Sequence, residues 1–226
     1  MNRLNIFIGW DDRESLAYHV LCHSIIRRAS IPVTITPIKK NVLGDVYARE
    51  KGPTESTDFS LTRFLTPYLA EYKGLAVFMD CDMLCLADMA ELIAYVREEP
   101  FKAVYVVKHN YIPKGQSKFL GNTQTAYPRK NWSSLMVFNC QHYTAQRITP
   151  GYVDKASGLE LHRFGWLKDD EIGELPQEWN HLVGEYNVNP NAKILHYTLG
   201  TPCLPGYEDC DQAELWWQEM EHLKHG

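Results

Sequence analysis

A chain of 226 residues, 45% hydrophobic and 12% aromatic, can bury one sizeable core without disulfide or metal staples. Its 23 Lys and Arg against 28 Asp and Glu give a formal net charge of -5 with no polybasic tract, which excludes a nucleic-acid backbone as the expected partner and leaves small phosphorylated ligands. The opening MNRLNIFIGWDD lacks the basic flank and longer apolar segment of a signal peptide, and no apolar run reaches bilayer length, so the expectation is a cytoplasmic protein with room for peripheral membrane association.

Leu4 to Ile8 is a short β-rich run that breaks at Gly9, and the residues after Asp11 and Asp12 place Leu16, Val20, Leu21 and Ile25 on one helical face. This predicts strand, loop and helix. A second strand is expected at Val33 to Thr36, continuing an alternation that favours a parallel sheet. A polar loop with Gly52 and Pro53 follows, then a helix over Leu61 to Leu69 with Pro67 near its end. Leu75 to Met79 reads as a buried strand that stops at Asp80-Cys81-Asp82, with a helix from Met89 to Val96 beyond it. Further strands are expected at Ala103 to Val107, Leu135 to Phe138 and Lys193 to Leu195, and an amphipathic helix at Gln212 to Lys224. The long polar segment Lys108 to Lys130 is of a length that tends to be functional. The six cysteines (Cys22, Cys81, Cys85, Cys140, Cys203, Cys210) form no CxxC pair and read as reduced thiols, with pairing of Cys203 and Cys210 left open.

Two aspartates one residue apart at the end of a buried strand repel each other and are partly desolvated, so they need a compensating cation. Mn²⁺ or Mg²⁺ fits this need, because either binds carboxylate oxygens while keeping positions for substrate phosphates. In an open α/β sheet, ligands also bind beyond the carboxyl ends of the strands. The bland alternative is that Asp80 caps a loop and Asp82 starts a turn.

The segment Phe78 to Leu92, with its apolar strand, DxD and Asp88-Met89-Ala90-Glu91-Leu92 helix start, resembles glycosyltransferase family 8. Four more blocks follow that family's order: Thr62-Arg63-Phe64-Leu65 with Pro67, Ser133 to Asn139, Trp179-Asn180, and Leu195-His196-Tyr197-Thr198. The resemblance implies a mixed, mostly parallel GT-A (Rossmann-like) α/β sheet flanked by helices. It implies a single domain over 1–226, with a nucleotide-sugar portion at about 1–110 and an acceptor portion at about 111–226. It also implies a nucleotide-sugar donor of the UDP-sugar class and a saccharide or glycoconjugate acceptor.

Carried over by position, Asp80, Asp82 and His196 would be metal ligands, and Arg63 and Ser134 would lie at the donor. Asp11 stands open between two readings, an acceptor for uracil N3 or a helix N-cap; Lys39 lies at the second strand's end. Asp169 and Asp170 occupy the acidic run where related transferases place a residue beside the reacting sugar. They would serve as general base if the reaction inverts, whereas a retaining reaction needs none. Two departures stand out. Trp132-Ser133-Ser134 replaces the family's N-S-G, moving the side-chain amide to Asn131 or removing it, and the late element lacks its phosphate-binding lysine. Another cation, or the metal alone, must then offset the diphosphate. Tyr111 to Tyr127 and Trp179 to Tyr186 are aromatic candidates for lid and acceptor platform.

Two rival readings remain. Haloacid-dehalogenase phosphatases also end a strand in DxD, but at their first strand and with Thr or Val next, unlike Asp82-Met83 here. A non-catalytic sugar-nucleotide or glycan binder would share the fold.

Overall fold

A computed structural model describes residues 3–52, 55–113, 117–118, 122–123 and 128–225. Strand β1 (Leu4–Gly9) buries Ile6, Phe7 and Ile8 in succession, as a parallel strand covered on both faces requires. Asp11 then caps a 3-10 turn, Asp12–Glu14, and helix α1 (Ser15–Arg28) turns Ala17, Val20, Leu21, Ser24 and Ile25 inward. β2 (Val33–Ile38) lies parallel to β1. The helix expected over Leu61 to Leu69 is a 3-10 segment, Thr62–Leu65, followed by the single turn α2 (Thr66–Leu69). Pro67 starts that turn instead of ending the helix, because in a first turn its missing N–H costs no intrahelical bond.

β3 (Leu75–Met79) flanks β1 on its other side in parallel. β4 (Met83–Cys85) and α3 (Met89–Glu98) follow, the helix capped by the Asp88 carboxylate accepting from the Ala90 N–H. β5 (Val104–Val106) is succeeded by a small antiparallel pair, β6 (Ser117–Lys118) with β7 (Asn122–Thr123), and by β8 (Leu135–Asn139). The expected lid at Tyr111 to Tyr127 falls largely outside the described residues. Short helices α4 (Pro150–Lys155) and α5 (Gly158–His162) precede β9 (Ile172–Glu174), β10 (His181–Leu182), β11 (Ile194–His196) and α6 (Ala213–His225).

The main sheet has the order β2-β1-β3-β8-β5-β9. Three of its pairings are parallel and two, both involving β8, are antiparallel. This mixed sheet, flanked by helices, is the architecture expected from the sequence. β8 runs against β3 with Leu135 opposite Met79, so the residues entering β8 share a sheet edge with those leaving β3. β5 brings 107–109 to the same edge, whereas β9 begins at the opposite one, with Ile172 beside Val104.

A second sheet, β10-β11-β4, branches from this edge. Its register sets His196 opposite Met83 on one side and Leu182 on the other. Val20, Leu84, Leu195, Tyr197 and Trp216 form a separate buried cluster that joins α1, this small sheet and α6. Among the described residues no helix is long and apolar enough to cross a membrane.

The α1–α6 contact carries a buried charge. Glu219, 2% exposed, accepts from Arg28 at 2.8 Å and Arg27 at 3.3 Å and contacts His23 Nδ1 at 2.6 Å. Burial alone would raise its pKa, but the Arg28 bond and charge, with His23 and Arg27, hold it below the ordinary 4.5. A depressed carboxylate stabilises the fold above its unfolded-state value, and that share is lost as pH falls through the folded value. Glu219→Gln is therefore expected to cost about 1–3 kcal/mol in urea unfolding at pH 7, with the deficit shrinking as pH is lowered below 4.5. A deficit independent of pH would show that the ion cluster contributes nothing.

Candidate functional site

At the carboxyl end of β3 the chain turns sharply, and the Asp80 N–H donates to the Ser134 carbonyl at 2.9 Å. Two residues later the Asp82 carbonyl accepts from the Tyr197 N–H at 2.9 Å, fastening the turn to the end of β11. These two backbone bonds bring Asp80, Asp82 and His196 together, with one ligand atom from each lying within 4.8 Å of the others. His196 Nε2 stands 3.3 Å from Asp82 Oδ1.

The tautomer of His196 follows from its neighbours. The Ser134 hydroxyl donates to the Asn131 carbonyl at 2.7 Å, so toward Asn180 it can only accept, and the Asn180 amide donates to it at 2.8 Å. This turns Asn180 Oδ1 toward His196 Nδ1 at 3.0 Å. An amide oxygen only accepts, so Nδ1 carries a proton, and Nε2 is the ring nitrogen turned toward Asp82. Two carboxylates and an imidazole nitrogen form a donor set suited to a divalent cation, and the outer bond that orients the ring is typical of metal-binding histidines. The residues therefore fit a metal.

Arg63 offsets part of the negative charge. Its guanidinium is buried against the rings of Phe59 and Phe78, at 5.3 and 5.1 Å, and donates to the carbonyls of Ser60 (3.0 Å) and Ser133 (2.9 Å). From that fixed position Nη1 lies 2.7 Å from Asp80 Oδ1. Gly9 is part of this arrangement, since a Cβ there would fall 2.3 Å from the Phe59 ring. Glu14, buried beneath Cys81, has its carboxyl pushed well above the ordinary 4.5 by burial and by the charges of Asp82, Asp11 and Asp80.

Beside this group, at the ends of β1 and β2, lies a cleft of about 300 Å³ walled by Trp10 and Tyr47 and carrying Lys39, Lys40 and Arg49. Lys39 pairs with Asp12 at 2.8 Å and lies over Trp10. On the other flank, His109 and His181 each bury an Nε2 with no hydrogen-bond partner among the described residues. Burial, reinforced by His196 and His181, pushes His109 down to about 3, so it stays neutral.

Four residues singled out in the sequence take definite places in this geometry. Asp11 is 1% exposed and its carboxylate is taken up by the Arg13 side chain and backbone N–H and by the Asp58 N–H, so of its two readings the structure supports the N-cap. Those bonds outweigh burial and lower its pKa. Ser134 is buried and accepts from the Asn180 amide. Asp169 is exposed and paired with Arg129 at 2.5 Å, and the Asp170 carbonyl accepts from Lys102. Both precede β9 and so lie at the sheet edge opposite Asp80, because β9 starts beside the beginning of β5. The sequence reading gave no role to Asn180 or His109. Asn180 lay within the Trp179-Asn180 block that carried the resemblance; nothing local marks His109.

No family model matches the chain. Among solved structures it is similar to the bifunctional glycosyltransferase WbbM (TM-score 0.67, 16% identity, 99% of this chain and 51% of that one). It is also similar to GlyE of Streptococcus pneumoniae (TM-score 0.62, 13% identity, 97% and 61%) and to the galactosyltransferase LgtC (TM-score 0.57, 11% identity, 97% and 96%). The chain thus spans about half the length of WbbM and about three fifths of GlyE. These likenesses show a GT-A glycosyltransferase fold. In sequence, the chain is 47% identical over 223 residues to Protein CDI of Arabidopsis thaliana, covering 96% of this chain and 85% of that protein. At that identity and coverage the chain belongs to the family of Protein CDI.

Proposed function

We propose that the chain is a metal-dependent glycosyltransferase, related to family 8, that moves a sugar from a UDP-sugar to a saccharide or glycoconjugate acceptor. The carrying observation is the convergence of Asp80, Asp82 and His196 Nε2 at the carboxyl end of β3. In this reading Asp80, Asp82 and His196 hold Mn²⁺ or Mg²⁺. Such an ion, when bound, supplies Lewis acidity to the leaving nucleoside diphosphate.

Trp10 and Tyr47 provide aromatic faces for the base, and Lys39, Lys40 and Arg49 stand in for the lysine that the late sequence element lacks. Asp11 fixes the loop at that cleft instead of pairing with the base. Arg63 positions Asp80, and the free nitrogens of His109 and His181 are offered to sugar hydroxyls. With Asp169 and Asp170 at the far edge, no base comes from that run, which supports a same-face, retaining course. The residues from about 1–110 form the nucleotide-sugar portion and those from about 111–226 the acceptor portion, with His196 and Asn180 bridging from the second. The six free cysteines accord with a cytoplasmic setting. Asp80, ion-paired with Arg63, is a poor phosphatase nucleophile.

Two tests separate this reading from its rivals. Isothermal titration of UDP, GDP, CDP and dTDP with and without Mn²⁺ is expected to show metal-dependent binding of UDP that Asp82→Ala abolishes. Binding that ignores both metal and Asp82 would reject it, and hydrolysis of the matching UDP-sugar by the wild type excludes a purely binding role. Asn180→Ala is expected to weaken Mn²⁺ binding by about 10–100-fold, read by the electron paramagnetic resonance of free Mn²⁺, while leaving the fold intact. Unchanged affinity would remove Asn180 from the account.

A further inference from the structure

At the sheet edge opposite the metal group lies a second cleft, of about 390 Å³. Three aromatic side chains wall it. Tyr143 is 61% exposed, Tyr152 stands beside α5, and Trp166 packs against Phe164 with the rings tilted and their centroids 6.0 Å apart. Its polar groups are already aligned. Glu171 accepts from the Tyr143 hydroxyl at 2.6 Å, the Thr144 hydroxyl at 2.7 Å and the Lys168 N–H at 2.8 Å. Glu160 accepts from the Tyr152 hydroxyl at 2.5 Å. Arg147 and Lys168 complete the lining, so two cations balance two carboxylates. One donor is left over: the Trp166 indole N–H is shielded from water and has no acceptor among the described residues. An orphaned buried donor is costly, and it belongs to one of the residues that line the cleft.

This composition selects a ligand class. Charge balance disfavours phosphates and strongly charged peptides, while aromatic faces interleaved with fixed hydrogen-bonding groups match a ring with apolar C–H faces and an equatorial belt of hydroxyls. We propose that this cleft is a carbohydrate-binding site for a segment of neutral oligosaccharide, separate from the metal group. The topology supports the separation: Glu171 and Lys168 precede β9, at the far edge. A glycan held at this end would be tethered to the protein without occupying the centre where Asp80, Asp82 and His196 meet. The proposal stands whether or not that centre transfers sugar.

The test is isothermal titration of the full chain with four neutral probes, maltohexaose, cellohexaose, xylohexaose and β-1,4-galactohexaose, at millimolar concentration. The variants are Trp166→Ala and Tyr143→Ala, which each remove an aromatic face of the cleft, and Asp82→Ala. At least one probe is expected to bind saturably, about tenfold more weakly in each cleft variant, and equally well in Asp82→Ala. UDP binding in the presence of Mn²⁺ is expected to be the same in both cleft variants as in the wild type, which distinguishes failure of this cleft from failure of the metal site. The proposal is overturned if none of the four binds, if binding survives both cleft substitutions undiminished, or if Asp82→Ala abolishes it.

Discussion

Two carboxylates at the end of one buried strand repel across a single intervening residue, and much of the surrounding structure answers that repulsion. Arg63 supplies one fixed positive charge, held by two aromatic rings and two carbonyls so that it cannot swing away from Asp80. Glu14 is the third carboxyl in the neighbourhood, and burial together with its acidic neighbours drives it toward the neutral acid, so it adds little charge. What remains is an Asp82 carboxylate 3.3 Å from His196 Nε2, donor atoms of the kinds that hold a divalent cation.

The fold delivers this group through topology. β3 carries Asp80 to its edge and the antiparallel β8 starts at the same edge, placing Ser134 to receive the Asp80 N–H and to anchor Asn180. The small sheet supplies His196, since the pairing of β11 with β4 sets it opposite Met83, the residue after Asp82. A one-residue slip in that pairing would turn the imidazole to the other face. The α1–α6 cluster around Trp216 and the Glu219 ion network back this small sheet, so a charge cluster far from the metal ligands helps to hold one of them in place.

What could be read from the sequence was whatever depends on local pattern. The buried run Leu75–Met79 ending in Asp80 marks a strand and its ligand end, and the expected strand and its observed bounds coincide. His196 was reachable through its block at the end of a late strand. Other residues could not be placed from sequence, for equally physical reasons. Asp11 carries the same side chain whether it caps a helix or meets a base, and only the positions of Arg13 and the Asp58 N–H decide between them. Asp169 and Asp170 resemble a catalytic acidic run, but their place depends on the parallel pairing of β9 with β5, a long-range register that composition does not encode. Asn180 acts through a hydrogen-bond relay spanning Asn131, Ser134 and His196, and such relays leave no periodicity to find.

The claim on which the account rests is that Asp80, Asp82 and His196 bind one cation together. Crystals grown with Mn²⁺ and UDP, with diffraction recorded on both sides of the manganese absorption edge, test it most directly. A single strong anomalous peak is expected within coordination distance of one oxygen from each aspartate and of His196 Nε2, with Asn180 still bonded to Nδ1. A peak elsewhere, or a protonated His196 donating directly to Asp82 with no metal between them, would contradict it.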